Sequence, residues 1–324
     1  KRSFGAAISD GGLDSYPRTG VRLPGTVPPA ILRPMLKALF RGMRPKQWAK
    51  NVFIFAALVF DEQLTRPEPL ARTVAGFVLL CLISSSVYLI NDIADVEADR
   101  RHPVKKKRPI AAGELSIPVA AAIAGVVAVS SLAASFLLET AFGWIVAGYF
   151  VLNLLYSFWL KHRPIIDVLI VAAGFVLRVA AGVSLIQVSR FSPWLYVCTT
   201  LLALIIGFGK RRAELLLLAE GANSHRRVLD GYNVEFLDQL IVVVSATTIM
   251  AYSLYTFSAE NLPANHLMML TIPFVLYGIF RYLHLIHVED AGGAPEELIL
   301  TDRPLLITLL LWGLIAILIL YFGQ

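Results

Sequence analysis

The sequence predicts an all-α membrane protein in which nine helices pack as a bundle across the bilayer. Hydrophobic residues make up 57% of the 324 residues and charged residues only 16%, whereas soluble domains contain roughly 45–50% and about 25%. The hydrophobic residues are concentrated in long runs that approach the ~20 residues of a membrane-spanning helix. Because lipid offers no partner to an unpaired backbone group, each spanning run must be helical.

Nine runs are predicted to span the membrane. The first is the weakest, because its apolar stretch covers only residues 52–60. No segment between the spans is large enough to fold alone, so residues 41–324 are expected to form one domain. Residues 1–40 are expected to be an N-terminal segment that is partly disordered or lies on the membrane surface. The predicted spans are residues 47–64, 70–93, 116–138, 141–160, 165–187, 192–209, 239–258, 267–287 and 304–322.

The distribution of Lys and Arg predicts which way the bundle faces. These residues are concentrated on one side of the predicted spans, and the other side carries little beyond Arg66, Arg72 and Arg190. The positive-inside rule places the basic side and the N-terminus in the cytoplasm and the C-terminus outside. We therefore expect a multi-pass protein of the inner (cell) membrane. The net charge of +6 predicts anionic partners, and its position between spans argues against nucleic acid.

The second predicted span ends in the sequence NDIADVEAD, which carries the main catalytic prediction. Asp92, Asp95 and Asp99 are spaced i, i+3 and i+7, so a helix places them on one face. Carboxylates crowded into a partly desolvated site need a cation, and oxygen ligands combined with substrate phosphates suit Mg²⁺. The three aspartates are therefore predicted metal ligands, with Asp92 and Asp95 catalytic and Asn91 contacting substrate. The alternative is a solvated acidic helix end that pairs with the basic loop after it.

Basic residues on both sides of this motif are predicted to bind phosphate groups. Arg108 lies where the chain turns back toward the third span, and we predict that it contacts substrate. The preceding Lys105–Lys107 either bind phosphate or interact with anionic lipid. Before the first span, Lys46 and Lys50 are spaced i, i+4 on one predicted helix face, next to Asn51. They form either a phosphate clamp or an interfacial anchor.

Two later spans begin or end in further candidates. The fourth span ends near Tyr156, Lys161 and Arg163. The hydroxyl of Tyr156 is predicted to act in catalysis by reaching a phosphate oxygen, and the two cations are predicted to bind substrate. Asp167 and Arg178 both lie in the fifth span. Either they compensate each other's charge, or Arg178 binds substrate.

The connection between the sixth and seventh spans holds the remaining candidates. Lys210 and Arg211 follow the sixth span and are predicted to bind substrate. For Lys210 the alternative is a salt bridge with Glu214 at i, i+4 on a helix. Tyr232 comes just before the seventh span, where it either caps the helix or contacts a ligand.

The motif NDxxDxxxD at the end of a second span, followed by a basic loop and Arg108, resembles the first aspartate motif of the UbiA superfamily of intramembrane prenyltransferases. The nine predicted spans and the cytoplasmic site also match that superfamily. The resemblance covers roughly residues 40–322 and implies a UbiA-like helical bundle and a Mg²⁺-bound diphosphate.

Four further segments resemble the decaprenyl-phosphate phosphoribosyltransferase branch of that superfamily. They are RPKQWAKN, LKHRPIID, GFVLRVAAG and GKRRAE. The resemblance implies that phosphoribosyl diphosphate donates 5-phosphoribosyl to a polyprenyl (decaprenyl) phosphate, with release of diphosphate, for cell-wall arabinan precursors. Donor and acceptor together bring three anionic groups, which agrees with the many Lys and Arg residues.

Two other functions are compatible with parts of the sequence. An aromatic prenyltransferase of the same superfamily would carry a second DxxxD motif between the sixth and seventh spans, where this chain has only Asp230, Glu235 and Asp238. A transporter would place polar residues near mid-membrane on several spans, whereas here they cluster at one face. Small residues at 180–182 suit helix packing within one subunit or between the subunits of a homo-oligomer.

Overall fold

The computed structural model describes residues 29–188, 192–219, 227–291, 293 and 295–323, and within these ranges all regular structure is helical. This confirms the predicted fold class. Of the predicted N-terminal segment, residues 1–28 lie outside the described ranges. The α-helices are α1 (Pro29–Gly42), α2 (Ala56–Phe60), α3 (Pro67–Ala94), α4 (Val96–Arg101), α5 (Ile117–Leu138), α6 (Thr140–Phe158), α7 (Ile166–Leu185), α8 (Pro193–Ala219), α9 (Val234–Ser258), α10 (Ile272–His287), α11 (Pro295–Thr301) and α12 (Arg303–Phe322).

Eight helices in the described part of the chain are long and apolar enough to cross a membrane. They are α3, α5, α6, α7, α8, α9, α10 with the turn before it, and α12. These eight correspond to the last eight predicted spans. We call the end of the bundle where α3 ends and α7 begins the charged end. The helix α8 continues into this end for ten residues beyond the predicted boundary at 209, so that Lys210 and Arg211 are helical and do not lie in a loop.

The first predicted span is not a regular α-helix. Residues Pro45–Phe55 form a 3-10 helix, and α2 adds only five residues to it. A 3-10 helix rises about 2.0 Å per residue instead of 1.5 Å, so the two pieces together extend roughly 30 Å, the thickness of the hydrocarbon core. The carbonyl oxygen of Phe60 accepts a hydrogen bond from Asn261, and the backbone N–H of Leu64 donates to Tyr321 at the opposite end of the bundle. The segment therefore crosses the bundle.

The 3-10 geometry changes which side chains of this segment share a face. Side chains three residues apart are aligned in a 3-10 helix. Asn51, Ile54 and Ala57 are buried in one row, whereas Lys46, Ala49 and Val52 form an exposed row, and Gln47, Lys50 and Phe53 form a half-buried row. The prediction that Lys46 and Lys50 share a face is therefore wrong, because it assumed a repeat of 3.6 residues.

Three consecutive serines of α3 attach this helix to its neighbours. Ser84 accepts a hydrogen bond from Asn51, Ser85 accepts one from Trp48 at 3.0 Å, and Ser86 donates to the carbonyl oxygen of Ala124 in α5 at 2.8 Å. Small polar residues allow close approach of helices and pair across them where no water is present. These contacts fix the rotation of α3, which in turn fixes where its terminal aspartates point.

The helix α7 lies between two hydrophobic clusters. Its end near Val168 packs into a cluster formed with α8, α9 and α10, while Leu185 belongs to a cluster formed with α3 and α6. At Gly182 the backbone of the 3-10 helix approaches so closely that a Cβ would overlap the carbonyl oxygen of Ile54. The contact of α7 with the 3-10 helix thus depends on a residue without a side chain.

Candidate active site

The aspartate motif lies at the charged end, where α3 gives way to α4. Asp95 separates the two helices with φ −97° and ψ 7°. Backbone hydrogen bonds from Asp95 to Asn91 (3.0 Å) and from Asp99 to Asp95 (2.8 Å) continue the helical pattern across the junction. The spacing of i, i+3 and i+7 therefore still brings Asp92 and Asp99 to one side.

Three cations neutralise the three carboxylates. Arg44 and Arg108 both contact Oδ1 of Asp92, the latter at 3.0 Å, and Arg108 also lies 2.5 Å from Oδ2 of Asp99. The Nζ of Lys161 lies 2.8 Å and 3.1 Å from the two oxygens of Asp95. Asp92 is only 2% exposed. The structure therefore brings together five of the predicted residues, namely Asp92, Asp95, Asp99, Arg108 and Lys161.

Arg44 belongs to this site but was not among the predicted site residues. It takes a left-handed backbone conformation with φ +53°, and its guanidinium lies 5.0 Å from the ring centre of Tyr88. A non-glycine residue in this region is uncommon and such positions cluster at functional sites. Arg44 is followed by proline, as is Arg108, and this shared dipeptide was the available sequence signal.

A second cluster at the charged end is centred on Asp167, which is fully buried. Its carboxylate accepts hydrogen bonds from Arg211 Nε at 2.6 Å and from the Tyr232 hydroxyl at 2.7 Å. Arg211 also pairs with Glu214, and its Nη2 lies 3.5 Å from the hydroxyl of Tyr156. Burial and the hydrogen bond to Asp167 raise the pKa of Tyr232 above its usual value. Glu214, which the sequence offered as an alternative partner for Lys210, pairs with Arg211 in the structure.

The chain is strained next to this second cluster. Ile165 has φ +67° and ψ −50°, and the backbone N–H of Ile166 donates to the carbonyl oxygen of Pro164 at 2.8 Å. This is a γ-turn of the rare positive-φ type, which is costly for a β-branched residue. The N–H of Ile165 donates to the Tyr232 hydroxyl at 2.5 Å. Tyr232 thus fixes the turn that follows Lys161 and Arg163.

A third cluster lies inside the bundle around Arg178. Its guanidinium donates to Asn51, to the carbonyl oxygen of Gly174 and to the hydroxyl of Tyr149, each at 2.8 Å. The proposed compensation between Asp167 and Arg178 is therefore wrong, since Asp167 pairs with Arg211. The two residues lie at different depths on α7, and sequence alone did not reveal that α8 supplies the closer cation.

The other predicted residues differ in their exposure. Lys46 and Arg163 are exposed, while Asn91, Lys50 and Lys210 are half-buried. His284 and His287, interpreted as structural, face Glu289 and Asp238 at 3.4 Å and 3.6 Å. The structure tests none of these residues as ligands, so their binding roles stay predictions.

The aspartate motif fits a shared metal site better than a closed one. No group of three or more His, Cys, Asp or Glu among the described residues is arranged to hold a metal ion alone. Mg²⁺, however, is usually bound by one or two carboxylates plus substrate phosphates and water. The oxygen donors of Asp92, Asp95 and Asp99 suit that arrangement in type and charge.

The amino-acid sequence matches the UbiA prenyltransferase family over residues 51–213. It is 35% identical over 294 residues to the decaprenyl-phosphate phosphoribosyltransferase of Mycolicibacterium smegmatis, a match that covers 86% of this chain and 91% of that protein. The protein of the same name from Mycobacterium tuberculosis is 32% identical over 292 residues, with 89% and 94% coverage.

The fold also matches that of a solved structure. A UbiA homolog from Archaeoglobus fulgidus bound to GPP and Mg²⁺ superimposes with a TM-score of 0.66 at 21% identity, covering 88% of this chain and 98% of that one. At this identity the likeness establishes the fold, a UbiA-type bundle, which agrees with the helical architecture described above.

Proposed function

The chain belongs to the UbiA prenyltransferase family, and we propose that it transfers 5-phosphoribosyl from phosphoribosyl diphosphate to decaprenyl phosphate, releasing diphosphate. The observation that carries this proposal is the 32–35% identity to decaprenyl-phosphate phosphoribosyltransferases over nearly the whole of both chains. The chemistry of the charged end supports it, because carboxylates and cations meet there where the apolar spans end.

We infer that Asp92 and Asp95, with Asp99 as a third ligand, would hold the Mg²⁺ ion that accompanies the donor diphosphate. Mg²⁺, when bound with the donor, supplies positive charge that stabilises the departing diphosphate. Without donor, Arg44, Arg108 and Lys161 pair with the aspartates. When donor binds, these cations transfer from the carboxylates to phosphate oxygens, where they offset the negative charge that develops on the leaving group.

The acceptor step needs positioning more than proton transfer. The bond between the anomeric carbon and the diphosphate oxygen breaks, and an oxygen of the acceptor phosphate forms the new bond from the opposite face. A phosphate monoester is already ionised at neutral pH, so no strong base is required, and catalysis depends on geometry and electrostatics. Tyr156 and Arg211, at the other cluster of the charged end, are the candidates to orient the acceptor phosphate.

The orientation of the protein is also a proposal. The charged end faces the cytoplasm of the inner (cell) membrane, because Lys and Arg are more numerous at that end than at the opposite one. The water-soluble donor then reaches the site from the cytoplasm, and the decaprenyl chain remains in the bilayer. The product would serve synthesis of arabinan precursors for the cell wall.

Turnover by the purified protein tests the proposed function. Phosphoribosyl diphosphate, decaprenyl phosphate and Mg²⁺ are expected to give decaprenyl phosphoribosyl phosphate, detected by mass spectrometry, and activity should disappear with chelator. Prenyl diphosphate with a hydroxybenzoate, the substrates of an aromatic prenyltransferase, should give no product. Product from the second pair only would replace this proposal with the aromatic one.

Asp95→Asn is the cleanest variant for the metal role. Asp95 is about one-third exposed and faces one lysine, so its loss should cost at most about 1 kcal/mol of stability while abolishing turnover. Asp92→Asn should also abolish turnover. It is a poorer test, because the carboxylate of Asp92 is 2% exposed and pairs with both Arg44 and Arg108, so its loss also disturbs the charge balance of a buried cluster. Glu68→Gln, at the opposite end of α3, is the matched control and should keep full activity. Full activity of Asp95→Asn would refute the metal assignment.

A further inference from the structure

Arg178 is a buried cation whose partners are all neutral. It is 6% exposed, and it bonds the side chains of Asn51 and Tyr149 and the backbone of Gly174. By contrast, the buried guanidinium groups of Arg211 and Arg212 each contact a carboxylate. Among the described residues no carboxylate pairs with Arg178.

Such a charge is expensive at membrane depth. An ionisable residue inside a membrane span is usually paired or serves a function. The rings of Tyr149 and Phe175 lie 4.9 Å and 5.2 Å from the guanidinium carbon. Cation–π contacts of this kind stabilise a cation but do not neutralise it. The position therefore selects for an anion that is supplied from outside the chain.

The guanidinium of Arg178 has donors left for such an anion. It carries five N–H groups, and three of them are used, by Nε to Asn51, by Nη1 to Gly174 and by Nη2 to Tyr149. One N–H remains on each terminal nitrogen. Two terminal donors held in a plane match two oxygens of a phosphate group. The three neutral partners fix the orientation of these two donors.

Asn51 links Arg178 to the helix that carries the aspartate motif. Asn51, which bonds Arg178, also donates to Ser84 on α3, eight residues before Asp92. At 1.5 Å per residue this separation is about 12 Å along α3. The acceptor phosphate stays at the headgroup level of the charged end, so an anion that reaches Arg178 must belong to the smaller, water-soluble substrate.

We propose that Arg178 binds the 5-phosphate of the donor and thereby selects a phosphoribosyl donor over a prenyl donor. The inference rests on the proposed function, in which the diphosphate end of the donor lies at Asp92. A prenyl diphosphate held there would place hydrocarbon beside Arg178 and leave the cation uncompensated. A site built around a polar partner strongly rejects an analogue that lacks that partner.

Two fragments of the donor separate the two ends of the site. Ribose 5-phosphate carries the 5-phosphate alone, and inorganic pyrophosphate with Mg²⁺ carries the leaving group alone. Inhibition constants of both are measured for the wild-type protein, Arg178→Met, Tyr149→Phe and Arg72→Met. Arg72, which pairs with Glu139 at the opposite end, provides the control for loss of an arginine from a span.

Arg178→Met should raise the KM for phosphoribosyl diphosphate and the inhibition constant of ribose 5-phosphate by about 10- to 100-fold, as expected for hydrogen bonds to a charged group. The inhibition constant of pyrophosphate should stay within about threefold, since the aspartate motif is intact. Tyr149→Phe removes one bond that orients the guanidinium and should show the same pattern at about 3- to 10-fold. Arg72→Met should match the wild type.

The inference is overturned if Arg178→Met has the wild-type KM for phosphoribosyl diphosphate and the wild-type inhibition constant for ribose 5-phosphate. A loss of both fragments together would also overturn it, because it would mean that Arg178 only holds the bundle in shape. If Arg178→Met does not fold, Tyr149→Phe decides on the same criteria. Failure of the wild-type protein to use phosphoribosyl diphosphate would refute the proposed function itself, which is a separate observation.

Discussion

Tyr232 shows how one hydroxyl group can hold several parts of the charged end. It donates to the buried carboxylate of Asp167 and accepts from the N–H of Ile165 in the strained turn. Tyr232→Phe leaves the ring and removes both bonds. Because a hydrogen bond to a charged group contributes about 1.5–3 kcal/mol, we expect a clearly lower unfolding temperature in detergent at pH 8.

The same residue predicts a dependence of stability on pH. The pKa of Tyr232 is raised in the folded protein, whereas an exposed tyrosine has a pKa of about 10. Its contribution to stability is therefore complete below pH 10. Above pH 10 the unfolded chain loses the proton first, and the contribution falls by about 1.4 kcal/mol per pH unit until the folded pKa is reached.

The measurement is the difference in unfolding temperature between wild type and Tyr232→Phe from pH 8 to pH 11. This difference should be constant up to pH 10 and then narrow. Tyr277→Phe, at a side chain that is about half exposed on α10, is the control and should track the wild type. A difference that widens above pH 10 would contradict the raised pKa.

The sequence predicted that the aspartates of the motif lie close together, but it did not predict which charged residues pair across helices. Asp92, Asp95 and Asp99 are close in sequence, so a helical repeat was enough to place them together. The partner of Asp167 could not be found in this way, because Arg211 lies 44 residues away on α8. Pairing across helices depends on the rotation of each helix about its axis. A membrane span is apolar on the faces toward lipid and toward protein alike, so the spacing of its apolar residues does not reveal that rotation.

The 3-10 helix Pro45–Phe55 is the element that departs most from expectation. Its exposed, half-buried and buried rows repeat every three residues, so Lys50 lies on a row shared with Phe53, which packs on Phe175 of α7 at 5.1 Å. Lys46 is on the exposed row. A regular α-helix would have placed the two lysines together, and a run this long of 3-10 helix is too uncommon to be expected from sequence.

This geometry gives the two lysines different expected roles. Lys50→Gln should lower kcat/KM for the donor by about 10-fold or more, because it removes a cation from the half-buried row that packs against α7. Lys46→Gln should change kcat/KM by less than about threefold, as expected for an exposed cation. The two variants make the same chemical change four residues apart, so each is the control for the other. Equal losses in both would favour a regular α-helix in this segment.

At the scale of the whole molecule, charge is distributed unevenly between the two ends of the bundle. At the charged end, Arg212 joins α8 to α9 through Asp238, and Arg281 joins α10 to the start of α12 through Asp302, both at 2.7 Å. At the opposite end, Arg72 of α3 pairs with Glu139, between α5 and α6, at 2.8 Å. Ion pairs thus cross-link several helices at the charged end.

The chain should cross the membrane nine times, with the 3-10 helix as the first crossing, and this can be tested by cysteine labelling in intact cells. Lys37→Cys and Lys106→Cys, on the charged end, should react with an impermeant maleimide only after permeabilisation. Thr65→Cys and Asn265→Cys, at the opposite end, should react in intact cells. The native Cys81 is buried and sets the background together with Cys198. All four introduced positions are exposed on the protein, so accessibility reports the side of the membrane. Lys37 and Thr65 flank the 3-10 helix, and labelling of both from one side would mean that the segment only dips into the bilayer, leaving eight crossings and a C-terminus on the same side as the N-terminus.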